Sequence, residues 1–226
     1  MRQASRKSIS PRVRAPRVPA PPSKPSIDTA RNVQKRQVEI MDAAAKVFAE
    51  KGFHGASTQD IADVLGIRQA SLYYYFRSKE EALRLVCERG ASEFLDRARK
   101  VTDGPGTSRD KLIALIRGHL EPLATAPDYM RVFLRERQHL SPADRRAISK
   151  TARAIEGCFE TVVAEGIAFG SFSPSHDARL ATLAILGMLN GAPFWHERRE
   201  RKPEEIAKGL AQIALGGLTG VQWHDI

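Results

Sequence analysis

The sequence predicts an all-α protein of about nine helices, and three observations carry that expectation. Apolar residues recur at helical spacing: Ile40, Ala43, Ala44, Val47 and Phe48 share one face at i, i+3, i+4, i+7 and i+8. No segment alternates with the period of two that a half-buried strand requires. The breaks between apolar stripes carry helix-start and helix-stop chemistry, with Ser or Thr ahead of a stripe and Gly behind it.

The first helix covers about 33–51 and stops at Gly52. A short second helix opens at Ser57, whose hydroxyl caps the backbone while Asp60 returns the bond in a reciprocal capping box. Ile61 and Leu65 share its buried face, and Gly66 closes it where left-handed backbone is needed. In the third helix, Leu72 and Phe76 form the buried stripe, with Ile67 placed just ahead to pack back onto Leu72. Ala70, Tyr73 and Tyr74 fall on the opposite side, with Arg68 and Gln69 at the leading end.

Ser78 with Glu81 forms a second capping box for a fourth helix over about 79–100. The stretch Asp103-Gly104-Pro105-Gly106 breaks the chain, and Thr107 with Asp110 starts a fifth helix through Leu112, Leu115 and Ile116. Pro122 and Pro127 bracket its end, and a sixth helix covers about 128–138. Ser141-Pro142 with Asp144 opens a seventh, to residue 168. The eighth and ninth cover about 174–195 and 203–215.

A chain of 226 residues, 42% of them hydrophobic, has room for one or two domains with a sizeable core. Its formal charge of +10 is unevenly spread: +6 over residues 1–30, +3 over 31–79 and only +1 over 80–226. The basic character therefore sits at one end, as nucleic-acid binding requires. The expected organisation is a disordered basic, Pro-rich arm over 1–31, a DNA reader over 32–79, and a body over 80–226. The arm holds six of the thirteen prolines and cannot bury a core. It has no continuous apolar stretch of the kind an export leader needs. A solvated extension and an arm that adds phosphate or minor-groove contacts both fit it.

No apolar run approaches the ~20 residues that cross a bilayer, so a soluble, cytoplasmic protein is expected. Cys87 and Cys158 have no second Cys or His at metal-ligand spacing, which argues against a disulfide or a zinc site. His54, His119, His139, His176, His196 and His224 are scattered, and there is no nucleophile elbow or phosphate-binding loop. No enzyme activity, metal or cofactor is expected.

Two short helices about a glycine turn form a unit that can enter the DNA major groove. There Gln69 can pair with adenine and Arg68 with guanine, although either also reaches phosphate. Thr58, Tyr73, Tyr74 and Lys79 suit phosphate oxygens, which hold the register without reading sequence, and Ala70 and Ser71 complete the recognition helix.

The segment 33–83 resembles the TetR family of bacterial regulators. The resemblance is carried by Val47-Phe48-Ala49-Glu50-Lys51-Gly52-Phe53, by Thr58-Gln59-Asp60-Ile61-Ala62, by Leu72-Tyr73-Tyr74-Tyr75-Phe76 and by Ser78-Lys79-Glu80-Glu81-Ala82-Leu83. One departure is Arg68, where the family often has the capping hydroxyl of Ser or Thr. The family pattern supports phosphate roles for Tyr73 and Lys79. It also implies a C-terminal domain that binds an effector and pairs two chains on a palindromic operator.

Ala184, Gly187 and Gly191 on the eighth helix, with Ile206, Leu210 and Ile213 on the ninth, match an intersubunit four-helix bundle. Packing of those glycines within one subunit is the alternative. The candidate effector contacts are Phe94, Met130, Phe133, Phe159, Val163, Met188, Asn190 and Phe194, any of which can equally be core. The stretches Arg131-Val132-Phe133-Leu134-Arg135-Glu136-Arg137 and Gly187-Met188-Leu189-Asn190-Gly191 resemble the branch that regulates fatty-acid and steroid breakdown. That likeness implies an apolar effector with an anionic head, an acyl-CoA above all. Arg131, Arg135 and Arg137 face either that head or solvent. The expected function is a homodimeric repressor that leaves its operator when the effector binds, with the helix over 79–100 as coupling element. An activator, an effector-independent architectural DNA-binding protein and an enzyme using the C-terminal cavity are the alternatives.

Overall fold

A computed structural model of the chain describes residues 27–196 and 201–220, so most of the expected basic arm lies outside the described residues. Each of the nine expected helices is present, and one further helical turn is added. Among the described residues there is no strand.

Helix α1 (Ile27–Gly55) starts earlier than expected and bends at Gly52, whose φ of 69° and ψ of 168° suit glycine. Helix α2 (Thr58–Leu65) carries the full capping box. The Asp60 N–H donates to Ser57 Oγ at 3.1 Å, and the Ser57 N–H donates to Asp60 Oδ2 at 2.8 Å. A hydrogen bond from Lys51 at 2.6 Å, reinforced by Ser57, holds the Asp60 carboxyl down at about 2. Gly66 closes the helix with φ 62° and ψ 33°.

Helix α3 (Gln69–Leu72) is shorter than the sequence suggests. Its N-cap, Arg68, makes no side-chain cap bond, and the Leu72 carbonyl accepts from both Tyr75 and Phe76, which tightens the run of tyrosines into a turn. At the start of α4 (Lys79–Thr102) the expected capping box is half formed. Ser78 Oγ accepts the Glu81 N–H, but the Glu81 carboxylate takes the Arg77 N–H at 2.7 Å instead of that of Ser78.

Next come α5 (Ser108–Leu120), the added turn α6 (Pro122–Thr125), α7 (Pro127–Arg135) and α8 (Pro142–Ala168). Helix α9 (Ala178–Gly191) begins later than expected because Asp177 caps it, accepting the Leu180 N–H at 2.6 Å. It ends in a 3-10 turn over Ala192–Phe194, before α10 (Pro203–Thr219).

Two hydrophobic cores organise these helices. One is built from α1 to α3 and the first turns of α4, around Ile40, Phe48, Ile61, Leu72, Phe76 and Leu83, and it recruits Tyr129, Val132, Leu140 and Ile148 from beyond. The other joins the rest of α4 to α5, α8, α9 and α10 around Leu112, Phe159, Val163, Leu189 and Leu215. Helix α4 crosses from one core to the other, contributing Leu83 and Val86 to the first and Phe94 and Ala98 to the second. Helix α7 packs against both α1 and α4. In the second core the Phe172 ring lies over Gly166, and a Cβ there would overlap it.

Candidate nucleic-acid interface and inner cavity

The proposed reading surface is exposed as a unit. Tyr74 is 90% and Tyr73 51% accessible, Arg68 and Ala70 are exposed, and Thr58, Gln69, Ser71 and Lys79 are half-buried beside them. Leu72 and Phe76 are buried beneath, and Tyr75 packs against the same core. Two of the candidates make bonds the sequence did not disclose. Gln69 Nε2 donates to Thr58 Oγ1 at 2.6 Å, which ties α3 to the start of α2. Lys79 Nζ donates to the Ala56 carbonyl at 2.9 Å and lies 4.5 Å from the centroid of the Phe53 ring, so it also braces the turn between α1 and α2.

That turn is held from the far side as well. Glu136, just after α7, accepts the Phe53 N–H at 2.9 Å. The His139 ring stacks on Phe53 with centroids 5.4 Å apart and meets His54 edge-on at 4.5 Å. A second link joins Tyr129 on α7 to Asp42 on α1 by a 2.8 Å hydrogen bond. Burial, and then the neighbouring Asp42 carboxylate, push the Tyr129 hydroxyl far above its ordinary range, so it remains a donor at any working pH.

A cavity of about 360 Å³ opens between α4 and α7 and reaches α5, α8 and α9. Four of the expected effector contacts line it: Phe94, Met130, Phe133 and Asn190. Four are placed elsewhere. Phe159 and Val163 are consumed in the second core, and Met188 packs against that core away from the cavity wall. Phe194 is 40% exposed beneath the Arg135 guanidinium, 4.8 Å from its ring centroid.

The arginines of α7 and its exit do not line the cavity either. Arg131 lies 3.7 Å from Asp128, and Arg137 covers the Phe133 ring at 5.2 Å. The cationic groups on the wall are instead Arg89 and Arg97 of α4. Sequence reasoning missed them because Arg89, Glu93 and Arg97 recur every fourth residue, the pattern of a solvated helix face. It also missed His119 of α5, whose Nε2 lies 3.0 Å from Asn190 Oδ1 across a separation of 71 residues. Burial pushes the His119 imidazole down to about 4, outweighing the bond to Asn190.

The expected pairing surface is only partly free. On α9, Ala184 and Gly187 are exposed, beside Leu180 at 67% and Leu183 at 45%, and on α10 Ile213 is 59% exposed with Leu210 half-buried. Ile206, however, is buried within its own subunit, and a Cβ on Gly191 would sit 3.7 Å from Trp195 Nε1 of the same chain. Both belong to intrachain packing, because α10 lies with Ile206 towards α5 and the turn after α9 folds back.

Among the described residues no group of three or more His, Cys, Asp and Glu could hold a metal ion, and no helix is long and apolar enough to cross a membrane. Cys87 and Cys158 are buried and unpaired, with burial pushing the Cys87 thiol up to about 12.

A capped, glycine-turned helix pair presented on a helical body with an internal cavity defines a helix-turn-helix DNA-binding protein. The chain belongs to the TetR family: residues 40–86 match the model for bacterial regulatory proteins of the tetR family, and residues 105–218 match that for the tetracyclin repressor-like C-terminal domain. It is thus a DNA-binding transcriptional regulator. It is 28% identical over 184 residues to the fatty acid metabolism regulator protein of Bacillus subtilis, covering 80% of this chain and 95% of that one. It is 27% identical to the HTH-type transcriptional repressor KstR2 of Mycolicibacterium smegmatis, over 86% of this chain and 96% of that one. The fold matches that of the transcriptional regulator FadR from Bacillus subtilis, solved in complex with stearoyl-CoA, with a TM-score of 0.67 at 23% identity over 82% of this chain and 99% of that one.

Proposed function

We propose that two copies of this chain bind a palindromic operator in the cytoplasm as a repressor, and that an acyl thioester entering the cavity releases them. The observation that carries this reading is the sharing of α4 and α7 between reader and cavity. Helix α4 brings Phe94 and Arg97 to the cavity and Leu83 and Val86 to the reader's core. Helix α7 brings Met130 and Phe133 to the same cavity, while Tyr129 bonds Asp42 and Glu136 bonds Phe53 in the reader. A ligand that fits only one setting of these helices changes where the two recognition helices stand relative to each other, and its differential affinity is the whole of the switch.

The exposed apolar strip of Leu180, Leu183, Ala184, Gly187 and Ile213 supports pairing through α9 and α10. An acyl effector is supported by the apolar wall of the cavity, with cations only on α4, and by the relative named for fatty acid metabolism.

The test is fluorescence anisotropy of the purified protein on duplexes from upstream of its own gene and of its neighbours, titrated with acyl-CoA thioesters. A duplex bound in preference to a random one and released by a thioester supports the reading. A bound duplex that no thioester releases leaves an effector-independent DNA-binding protein. Within the reading surface, Tyr73→Phe weakens every duplex alike, whereas Gln69→Ala changes preference at one base pair by about ten-fold. Tyr73 is a cleaner probe than Lys79, because Lys79→Ala also removes the bond to Ala56.

A further inference from the structure

Taking the cavity as the effector site proposed above, we infer that His119 and Asn190 form an uncharged donor site for a carbonyl oxygen carried on the effector's apolar body. The effector is then a compact oxygenated acyl compound and not a plain long saturated chain.

The polarity of the site follows from one bond. With Asn190 Oδ1 facing His119 Nε2 at 3.0 Å, the carbonyl oxygen accepts and Nε2 carries the imidazole proton. The Asn190 amide is thereby turned so that Nδ2, which has no hydrogen bond within the chain among the described residues, remains to serve the cavity its residue lines. His119 is held in place by its neighbours. Its ring meets Phe94 edge-on at 4.8 Å and lies 6.1 Å from Phe159, and its Nδ1 is buried without a partner. Because burial keeps the imidazole neutral at physiological pH, the pair carries no charge, which favours a neutral carbonyl over a carboxylate.

The surroundings make this amide selective. Phe94 and Ile155 are buried beside it, and Met130 completes an apolar wall. A saturated chain laid against that wall strips water from Nδ2 and returns no acceptor, whereas a carbonyl pairs it. The two guanidiniums on the wall, Arg89 and Arg97, both stand on α4, with the Glu93 and Asp42 carboxylates on the same wall. Arg97 Nε is buried and lies 3.5 Å from Glu121 Oε2, and Arg89 Nε donates to Glu93 at 3.1 Å. Exposed Glu93 and Thr125 mark the opening on that side, so the carboxyl-derived end of the ligand lies there and the second oxygen lies inside. At about 360 Å³ the cavity stands at the small end of the ~300–1,000 Å³ usual for ligand sites.

The experiment is isothermal titration of the full chain with two matched pairs, octanoyl-CoA against 7-oxooctanoyl-CoA and octanoate against 7-oxooctanoate. The oxo member of a pair is expected to bind about ten-fold more tightly. In Asn190→Leu that ratio is expected to fall to about one, and in His119→Phe, which removes the orienting bond, to fall in the same direction. A preference seen with the free acids while neither thioester binds upholds this inference and removes the thioester from the proposed function. Equal affinities within both pairs, no binding by either pair, or a preference unchanged in Asn190→Leu and His119→Phe overturns the inference and leaves operator binding standing.

Discussion

The reader and the body of this protein solve opposite problems with the same secondary structure. Among the described residues, every buried side-chain polar atom without a hydrogen bond lies in the body: Arg97 Nε, which has only the Glu121 carboxylate at 3.5 Å, His119 Nδ1, Thr182 Oγ1 and His196 Nδ1. The reader has none. Its exposed polar groups are paired to one another, Ser57 with Asp60, Lys51 with Asp60 and Gln69 with Thr58, over a core in which Ile40, Phe48, Ile61 and Leu72 are wholly buried. A surface that must present a helix in one pose gains from such closure. A region that must answer a ligand keeps a cavity and leaves polar groups for the ligand to satisfy.

That contrast can be broken or sharpened by measurement. The largest effect is expected in the reader: Phe48→Ala, in a fully packed site, costs about 4 kcal/mol by chemical denaturation. A cost near 1 kcal/mol would mean that the reader core is loose. In the body, acid should act through His119. The unfolded imidazole takes its proton near 6.5 and the folded one only near 4, so between these values the unfolded chain binds more protons. Stability therefore falls as pH drops through that window, by on the order of 3 kcal/mol, and His119→Phe flattens the slope.

Third, Gly166→Ala drives a methyl into the Phe172 ring and costs about 2 kcal/mol, in the body alone. Smaller again is the cap of α2, where Ser57→Ala removes the acceptor of the Asp60 N–H and the hydroxyl bond to the Asp60 carboxylate, but keeps the backbone half of the box, at a cost of about 1 kcal/mol. The Asp60 carboxyl in the same cap is held below its ordinary value. It therefore contributes stability above pH 3.8 that is lost as pH falls through about 2, a step that Asp60→Asn removes.

The sequence made local features legible and left distant ones hidden. Helix starts at Ser57, Thr107 and Ser141 and the stop at Gly66 were readable because each depends on residues within one turn. The recognition helix was readable in position and not in length, since its end depends on how one carbonyl is shared by Tyr75 and Phe76. Half of the expected cavity contacts line it, while Phe159 and Val163 are buried in the second core, because residue type alone does not tell wall from core. Arg89, Arg97 and His119 were invisible for another reason. Their meaning comes from helices brought together by the fold, as when α5 and α9 join His119 to Asn190. Ile206 and Gly191, expected at the pairing surface, have neighbours within their own subunit that only the fold discloses, Ile206 in the second core and Gly191 beside Trp195.

The central claim is that occupation of the cavity changes the placement of two recognition helices. Both native cysteines are buried, so a cysteine placed at exposed Val64 on α2 can be spin-labelled selectively in the full-length protein. Distances between the two labels of a dimer, measured by pulsed electron resonance on the operator and again with saturating 7-oxooctanoyl-CoA, address the claim directly. The account predicts recognition elements spaced about 34–36 Å apart on DNA, and a displaced distribution once ligand is bound and DNA released. A single distribution, identical with operator and with bound ligand, or no second label within range, would contradict it.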